Sequence, residues 1–179
     1  MSNKALFLDR DGIVNEDRGY VGNIKDFAFT DGIFECVRRY QNSGYVPVIV
    51  TNQSGIGRGF YSEVQFRELC DWMNGQFELQ GVGPLAVYYC PHHPHDAMGE
   101  YRRDCHCRKP RPGMLLTAAK ELKLNLAESV MVGDSWRDMQ AADAAGVKKL
   151  IWVNQSEALQ PTDLPVIRVD QVKDVPLLT

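Results

Sequence analysis

Two closely spaced carboxylates mark the start of the chain. Asp9 and Asp11 lie two residues apart, directly after the apolar run 5–8 and before Gly12, which permits a sharp turn. Paired carboxylates can bind a hard cation, and one of them can attack an electrophile while the other transfers protons. A solvated acidic turn has the same composition, so the pair by itself is only a hypothesis for a reactive site.

Three later segments carry groups that suit a phosphate or a cation. Residues 51–55 offer a hydroxyl, side-chain amides and a glycine, which can present donors to an oxyanion. Residues 108–110 offer two cations just before a helix, and residues 133–138 offer two more carboxylates. The ordinary alternatives are a polar turn, a solvated basic loop and a helix N-cap, respectively. The groups of interest are Thr51, Lys109, Asp134 and Asp138.

Cysteines and histidines crowd into residues 90–107. Three of the five cysteines and all four histidines of the chain fall there. Three thiolates and one imidazole form a closed tetrahedral zinc site, which leaves no position for a substrate and is therefore structural. The odd number of cysteines also argues against a disulfide framework. The sequence predicts Zn²⁺ bound by Cys90, His92, Cys105 and Cys107, with His93, His95 and His106 as alternative imidazoles.

Short apolar runs alternate with helical patterns along the chain. Runs rich in β-branched and aromatic residues predict strands at 5–8, 46–50, 85–89, 130–132, 150–153 and 166–169. Apolar periodicity and capping residues predict helices at about 32–43, 62–77, 114–122 and 137–145. This alternation predicts an α/β fold with a three-layer, doubly wound parallel sheet. The proline-containing stretch from Pro161 onward is expected to be loosely organised.

The predicted strands also position the polar groups. Asp9, Thr51 and Asp134 each follow the carboxyl end of a predicted strand. In open parallel sheets, ligands bind in the crevice outside the carboxyl ends of the strands. Three segments that are far apart in sequence are therefore expected to converge on one crevice.

Length, charge and composition restrict the class of protein. At 179 residues the chain is expected to form a single domain, 1–179, that includes the zinc loop 90–107. A net charge of −3 provides no basic surface for nucleic acid, and no apolar run approaches the roughly 20 residues that span a bilayer. The N-terminal residues are not expected to act as a signal peptide. We therefore expect a cytoplasmic monomer without nucleic-acid or membrane partners.

Taken in order, these groups resemble the four motifs of the haloacid dehalogenase superfamily of phosphotransferases, across nearly the whole chain. The resemblance implies that Asp9 is a nucleophile that forms an aspartyl-phosphate and that Asp11 is the general acid and base. It also implies that Mg²⁺ is held by Asp9, the backbone carbonyl of Asp11, and Asp134. Thr51 and Lys109 would stabilise the phosphoryl charge. Asp138 would support either Lys109 or the waters of the metal.

Four segments narrow the resemblance to one subgroup of that superfamily. Residues 9–12, 51–55, 89–94 and 105–110 are similar to phosphatases that act on heptose bisphosphates and, more distantly, on histidinol phosphate. This implies a fold without a large cap domain and a small sugar bisphosphate as substrate. The 7-phosphate would be removed in the cytoplasmic route to the heptose of lipopolysaccharide. Arg108 would bind the distal phosphate, with Arg18 as an alternative. The implied substrate-binding residues are Asp17, Arg18, Gly19, Tyr20, Asn52, Gln53, Ser54 and Arg108.

Two other classes of function remain open from the sequence. A zinc-stabilised binding module with an inactive phosphatase fold would not require an intact set of catalytic groups, which this chain has. A phosphotransferase that passes phosphate to another acceptor would use the same residues. Because Cys107 directly precedes Arg108 and Lys109, zinc is also expected to order the backbone that carries the lysine.

Overall fold

The computed structural model describes residues 2–155 and 163–178, which form an α/β fold around a six-stranded sheet. The strands are β1 (Lys4–Leu8), β2 (Tyr45–Asn52), β3 (Ala86–Cys90), β4 (Val130–Gly133), β5 (Lys149–Val153) and β6 (Val166–Val169). The helices are α1 (Ile33–Asn42), α2 (Ser54–Gly57), α3 (Glu63–Leu79), α4 (Gly113–Leu122) and α5 (Trp136–Ala145). Short 3₁₀ turns lie at Ile24–Asp26, Gly99–Tyr101, Leu126–Glu128 and Val172–Asp174.

The sheet is parallel throughout, with the strand order β3-β2-β1-β4-β5-β6. Apolar side chains of α1 and α3 pack on one face, and those of α4 and α5 pack on the other. The central strands are almost fully buried because helices cover both faces. The predicted three-layer, doubly wound parallel sheet is therefore confirmed. No helix among the described residues is long and apolar enough to cross a membrane.

The helix boundaries follow from their capping residues. Ser62 caps α3 in a capping box with Gln65, as its spacing predicts. Ser135 caps α5, and the Asp138 side chain accepts a hydrogen bond from the Ser135 N–H, which completes a second capping box. Gly146 ends α5 with a φ of 100°, a left-handed conformation that glycine adopts without steric cost.

The structure corrects the sequence-based boundaries at two places. Strand β2 extends to Asn52, so Thr51 lies within the strand, opposite Tyr89 in the register, and does not follow it. The single helical turn α2 was not predicted, because its sequence, Ser-Gly-Ile-Gly, has low helix propensity.

The strand predicted at 166–169 forms as β6, but the expectation of a loosely organised end is wrong for residues 170–178, while Pro161 lies outside the described residues. Strand β6 pairs with β5, and Val172 and Val175 join the apolar core on the α1 side of the sheet. The hydroxyls of Tyr40 and Tyr45 donate hydrogen bonds of 2.7 Å to the carbonyls of Pro176 and Leu178.

Candidate active site and cysteine cluster

A cleft of about 520 Å³ opens at the carboxyl ends of the central strands. Asp9 directly follows β1, Asp134 directly follows β4, and Asn52 ends β2. Lys109 reaches the cleft from the loop that precedes α4. The predicted convergence of distant segments at this edge is therefore seen in the structure. The cleft lining includes Asp9, Asp11, Gln53, Arg58, Tyr61, Arg108, Lys109, Asp134, Arg137 and Asp138.

Lys109 is buried at the floor of the cleft and is held by three acceptors. Its Nζ donates to Asp9 Oδ1 at 2.9 Å, to Asp138 Oδ1 at 2.5 Å and to the Val50 carbonyl at 2.9 Å. Burial by itself lowers the pKa of Lys109, but the carboxylates of Asp138 and Asp9 outweigh burial and hold this pKa above its usual value. The ammonium group therefore stays charged beside Asp9, where it can neutralise a phosphoryl oxygen.

Three carboxylates meet at the same point. Oxygen atoms of Asp9, Asp134 and Asp138 all lie within 4.8 Å of one another. Burial is the main reason why the pKa of Asp134 rises to about 6, and the charge of Asp138 adds to it. Burial likewise raises the pKa of Asp9 well above its usual range, although Lys109 opposes the shift. One lysine thus leaves negative charge uncompensated, and clustered carboxylate oxygens are the donor set that Mg²⁺ prefers.

Asp138 has one clear task in this arrangement. Its Oδ1 accepts from Lys109 Nζ, and its Oδ2 accepts from the Ser135 N–H at 3.1 Å. Both of its oxygens are therefore engaged by the protein, which favours the role of supporting Lys109 over a role toward metal waters. Asp134 and Asp9, whose Oδ1 also accepts from Lys109 Nζ, are the other two carboxylates of the cluster.

The cysteine cluster lies just behind Lys109. The distances between ligand atoms are short. The three Sγ atoms of Cys90, Cys105 and Cys107 lie 2.9–3.5 Å apart, and the Nδ1 atom of His92 lies 3.4–3.6 Å from the Sγ atoms of Cys107 and Cys90. Ligand atoms of a tetrahedral zinc ion are roughly 3.5–3.8 Å apart, as follows from zinc–sulfur and zinc–nitrogen bonds of about 2.3 and 2.1 Å. The cysteines are free thiols. The four atoms therefore fit a tetrahedral zinc ion after small adjustments.

One thiol of this cluster, that of Cys107, is poised to ionise. The neighbouring thiol of Cys90 is the main reason why the pKa of Cys107 falls to about 5, with further contributions from Cys105 and His92. The pKa of Cys90 is raised in turn, because it shares that hydrogen bond and is buried. A thiolate among thiols is the form that recruits a soft or borderline cation.

The loop around this cluster is hydrogen-bonded to the residues at the floor of the cleft. The Asn52 side chain accepts from the Lys109 N–H at 3.0 Å and donates to the Lys109 carbonyl at 3.2 Å. Arg108 Nη1 donates to the His92 carbonyl at 3.3 Å, and Arg111 Nη1 donates to the Cys105 carbonyl at 2.6 Å. Lys109 is therefore fixed from β2 on one side and from the cysteine cluster on the other.

Most of the residues predicted to bind substrate line the cleft, but two predicted site residues do not. Arg18 points to Glu16 at 2.9 Å on the exposed surface, about half open to solvent, and does not line the cleft. Thr51 is 1% exposed and does not line the cleft, and its Oγ1 accepts from Gln53 Nε2 at 3.0 Å. The remaining predicted residues, Asp17, Gly19, Tyr20, Asn52, Gln53, Ser54 and Arg108, all line the cleft.

Three lining residues were missed by the sequence reasoning. Arg58 lies within the glycine-rich segment after β2, and Arg137 lies within the 133–138 segment, so both belong to segments that contain or adjoin predicted site residues. Tyr61 precedes the capping box of α3. A search for cations within a few residues of each strand-end motif would have found both arginines. The sequence carries no comparable signal for Tyr61.

The fold and this site together define a hydrolase of the haloacid dehalogenase type. Residues 106–174 match the family model of HAD-hydrolase-like proteins. The chain is 47% identical over 178 residues to the D-glycero-beta-D-manno-heptose-1,7-bisphosphate 7-phosphatase of Vibrio cholerae, which covers 98% of this chain and 96% of the relative. It is 44% identical over 180 residues to the D-glycero-alpha-D-manno-heptose-1,7-bisphosphate 7-phosphatase of Burkholderia mallei, which covers 100% and 95%. The chain therefore belongs to the family of heptose-1,7-bisphosphate 7-phosphatases.

A solved structure agrees with this membership. The D,D-heptose 1,7-bisphosphate phosphatase of B. bronchiseptica, complexed with magnesium and phosphate, superposes with a TM-score of 0.82 at 31% identity. The match covers 95% of this chain and 94% of that chain. The resemblance inferred from the motifs is confirmed, and the histidinol-phosphate alternative is not favoured.

Proposed function

We propose that this protein is a magnesium-dependent phosphatase that removes the 7-phosphate of D-glycero-D-manno-heptose 1,7-bisphosphate. The observation that carries the proposal is the set of charged groups that line one cleft. Asp9, Asp134 and Lys109 line it together with the guanidinium-bearing residues Arg58, Arg108 and Arg137. The two carboxylates and the lysine suit a phosphate under attack, and the arginines suit a second phosphate that stays bound. The relatives named above act on a sugar with two phosphates.

The first half of the reaction transfers the phosphoryl group to the protein. The Asp9 carboxylate attacks phosphorus, and the bond between phosphorus and the C7 oxygen breaks as the new bond forms. Asp11 gives its proton to the departing oxygen, so that the sugar leaves as a neutral alcohol. The Lys109 ammonium, held 2.9 Å from Asp9 Oδ1, stabilises the charge on the phosphoryl oxygens.

The second half restores the enzyme. Asp11, now ionised, takes a proton from a water molecule, which attacks phosphorus and releases inorganic phosphate from Asp9. We assign the Mg²⁺ ligands to Asp9, the backbone carbonyl of Asp11, and Asp134; the bound ion would neutralise phosphoryl charge. Zn²⁺ bound by Cys90, His92, Cys105 and Cys107 is assigned a structural role, since the four protein ligands fill its coordination sphere.

The affinity for Mg²⁺ is expected to weaken as the pH falls below about 6. The pKa of Asp134 is about 6 and that of Asp9 is raised, both chiefly by burial, so protons compete with the cation for these carboxylates. For each carboxylate that must lose a proton when Mg²⁺ binds, the apparent Kd for Mg²⁺ should rise about tenfold per pH unit below the pKa of that carboxylate. Calorimetric titration with Mg²⁺ in two buffers of different ionisation enthalpy measures both the Kd and the protons released. An affinity that is constant between about pH 5 and pH 7.5 would contradict the assignment.

Replacing Arg108 with Met is expected to lower kcat/KM for the bisphosphate by about 10- to 100-fold, since a hydrogen bond to a charged group contributes roughly 1.5–3 kcal/mol. The same variant should turn over heptose 7-phosphate nearly as well as the wild type, because that substrate has no second phosphate. Phosphate release measured with both substrates, and with histidinol phosphate, separates the candidate substrates.

Two further variants complete this experiment. Arg38→Met removes an exposed guanidinium that pairs with Glu35 on α1, far from the cleft, and serves as the matched control. Arg18→Met tests the alternative distal-phosphate ligand, which the structure places outside the cleft lining. Equal losses on the mono- and bisphosphate for Arg108→Met would show that this arginine does not read the second phosphate.

A further inference from the structure

The Asp11 carboxylate lies in a polar network that is separate from Lys109 and the three clustered carboxylates. Arg10 Nη2 donates to its Oδ1 at 2.8 Å, and Asn15 Nδ2 donates to the same oxygen at 3.0 Å. Gln53 Nε2 donates to its Oδ2 at 3.1 Å. All three donor side chains are at most 2% exposed, whereas 23% of the Asp11 side chain is open toward the cleft. A mobile surface carboxylate would not have three buried donors.

Arg10 is committed to this network. Its guanidinium lies between the rings of Phe27 and Phe66, with distances of 5.7 and 5.8 Å from Cζ to the ring centroids. Asp11 is its one carboxylate partner among residues 2–155 and 163–178, and Nη2 also donates to the Val21 carbonyl at 2.6 Å. A buried arginine gives a protein little net stability compared with apolar side chains of the same volume. Its placement is therefore better explained by what it does to Asp11.

Tyr61 fixes the orientation of the Gln53 amide. The Tyr61 hydroxyl donates to Gln53 Oε1, so the amide nitrogen must face Asp11 Oδ2 and Thr51 Oγ1. The Tyr61 ring packs against Gly22 and Gly55 so closely that a Cβ atom at either glycine would collide with it. The tyrosine therefore has one position, and through it the glutamine has one orientation.

The hydrogen-bond count then distinguishes the two oxygens of Asp11. A carboxylate oxygen accepts about two hydrogen bonds. Oδ1 already accepts two, from Arg10 and Asn15, while Oδ2 accepts one, from Gln53. The remaining acceptor position of the carboxylate is therefore on Oδ2. A proton carried by Asp11 has its place there.

We propose that Arg10, Gln53 and Tyr61 are positioning residues that make Oδ2 of Asp11 the atom that gives and takes the catalytic proton. The inference rests on the proposed phosphatase function. In the first half of that reaction the Oδ2–H bond breaks, and its proton goes to the oxygen that leaves phosphorus. In the second half Oδ2 takes one proton from the attacking water, so that the proton balance over the cycle is zero. Without the network the carboxyl group rotates, and only part of its population presents a proton to the leaving oxygen.

The test uses the leaving group, because a poor leaving group needs the proton and a good one does not. Tyr61→Phe removes only the hydroxyl that orients Gln53. We expect kcat/KM for heptose bisphosphate, whose leaving group is an alcohol, to fall about tenfold, which is a fraction of the 10²–10⁴ that a general acid contributes. For p-nitrophenyl phosphate, which leaves as a stabilised phenolate, we expect a change of less than about twofold. Arg10→Lys should show the same contrast with a larger loss on the alcohol substrate.

The controls make the outcome decisive. Tyr88→Phe removes a tyrosine hydroxyl that contacts Glu121 away from the cleft and should leave both substrates unaffected. Equal losses on the two substrates for Tyr61→Phe would assign Tyr61 a structural role, and no loss on either would also overturn the proposal. If the wild type does not hydrolyse heptose bisphosphate, the proposed function fails. The contrast between simple alkyl and aryl phosphates would still test the positioning of Asp11.

Discussion

Asp9→Asn is expected to lower phosphate release by about 10⁴-fold or more, since loss of a covalent nucleophile removes the reaction path itself. The amide of Asn is a poor nucleophile, yet its oxygen can still accept the hydrogen bond from Lys109 Nζ. Acid quenching during turnover of substrate labelled with ³²P in the reacting phosphate should trap label on the wild type and none on the variant. Label on the variant would show that another residue is the nucleophile.

The stability of Asp9→Asn distinguishes lost chemistry from lost folding. Burial, with the charge of Asp138, raises the pKa of Asp9 above its unfolded value, so the ionised form costs stability above that range. The neutral variant avoids this cost, and at neutral pH its Tm should not fall below that of the wild type. Asp143→Asn on the exposed face of α5 is the matched control, with unchanged activity. If Asp9→Asn is inactive and also unfolded, the prediction about its Tm is contradicted.

Stripping the proposed zinc from the cysteine cluster is expected to lower turnover about 100-fold while leaving the rest of the fold intact. Structural zinc contributes roughly 10–16 kcal/mol in small zinc peptides, which is comparable to the entire stability of a domain. Here the apolar cluster on the α1 and α3 face contains no zinc ligand, and in the cluster on the α4 and α5 face only Cys90 and Cys105 among the buried residues are zinc ligands. The loss should therefore be confined to the loop 90–112, which includes Arg108 and Lys109.

Hydrogen exchange and metal analysis can test that confinement. Chelated protein resupplied with Mg²⁺ alone should exchange quickly over residues 90–112 and slowly in β1, β2 and β4, and added Zn²⁺ should restore both protection and turnover. Cys70→Ser alters a cysteine outside the cluster and should respond to chelation as the wild type does. Full activity of zinc-free protein with Mg²⁺ would show that the cluster does not hold Lys109 in place.

The layers of this fold could be predicted because they depend on local patterns. Six apolar runs and four helical periodicities fell within a few residues of the observed elements, since each buried strand or amphipathic helix repeats its own signal. The segment 170–178, which follows the predicted strand at 166–169, was mispredicted for a physical reason. Its carbonyls are satisfied by Tyr40 and Tyr45, which lie more than 130 residues away, and no local pattern reveals such partners.

The site was predictable as a set of segments but less so as a set of side chains. Strand ends had to converge, which brought Asp9, Asp134 and Lys109 together. The direction of a side chain depends on its neighbours, however, and Arg18 turned to Glu16 while Arg58 and Arg137 turned into the cleft. The hydrogen-bond network around Asp11 could not be predicted for the same reason, because Gln53 and Tyr61 become neighbours of Asp11 only through the fold.

The anchored end of the chain also bears on how the protein can be tethered. Leu178 is held at Tyr45, the first residue of β2, and Asn3 lies beside the first residue of β1. Both positions are at the amino ends of parallel strands, whereas the cleft is at their carboxyl ends. A surface, a dye or another protein that is attached next to Asn3 or Leu178 would therefore lie on the side of the sheet opposite the cleft. Attachment at either position would leave the cleft open to substrate.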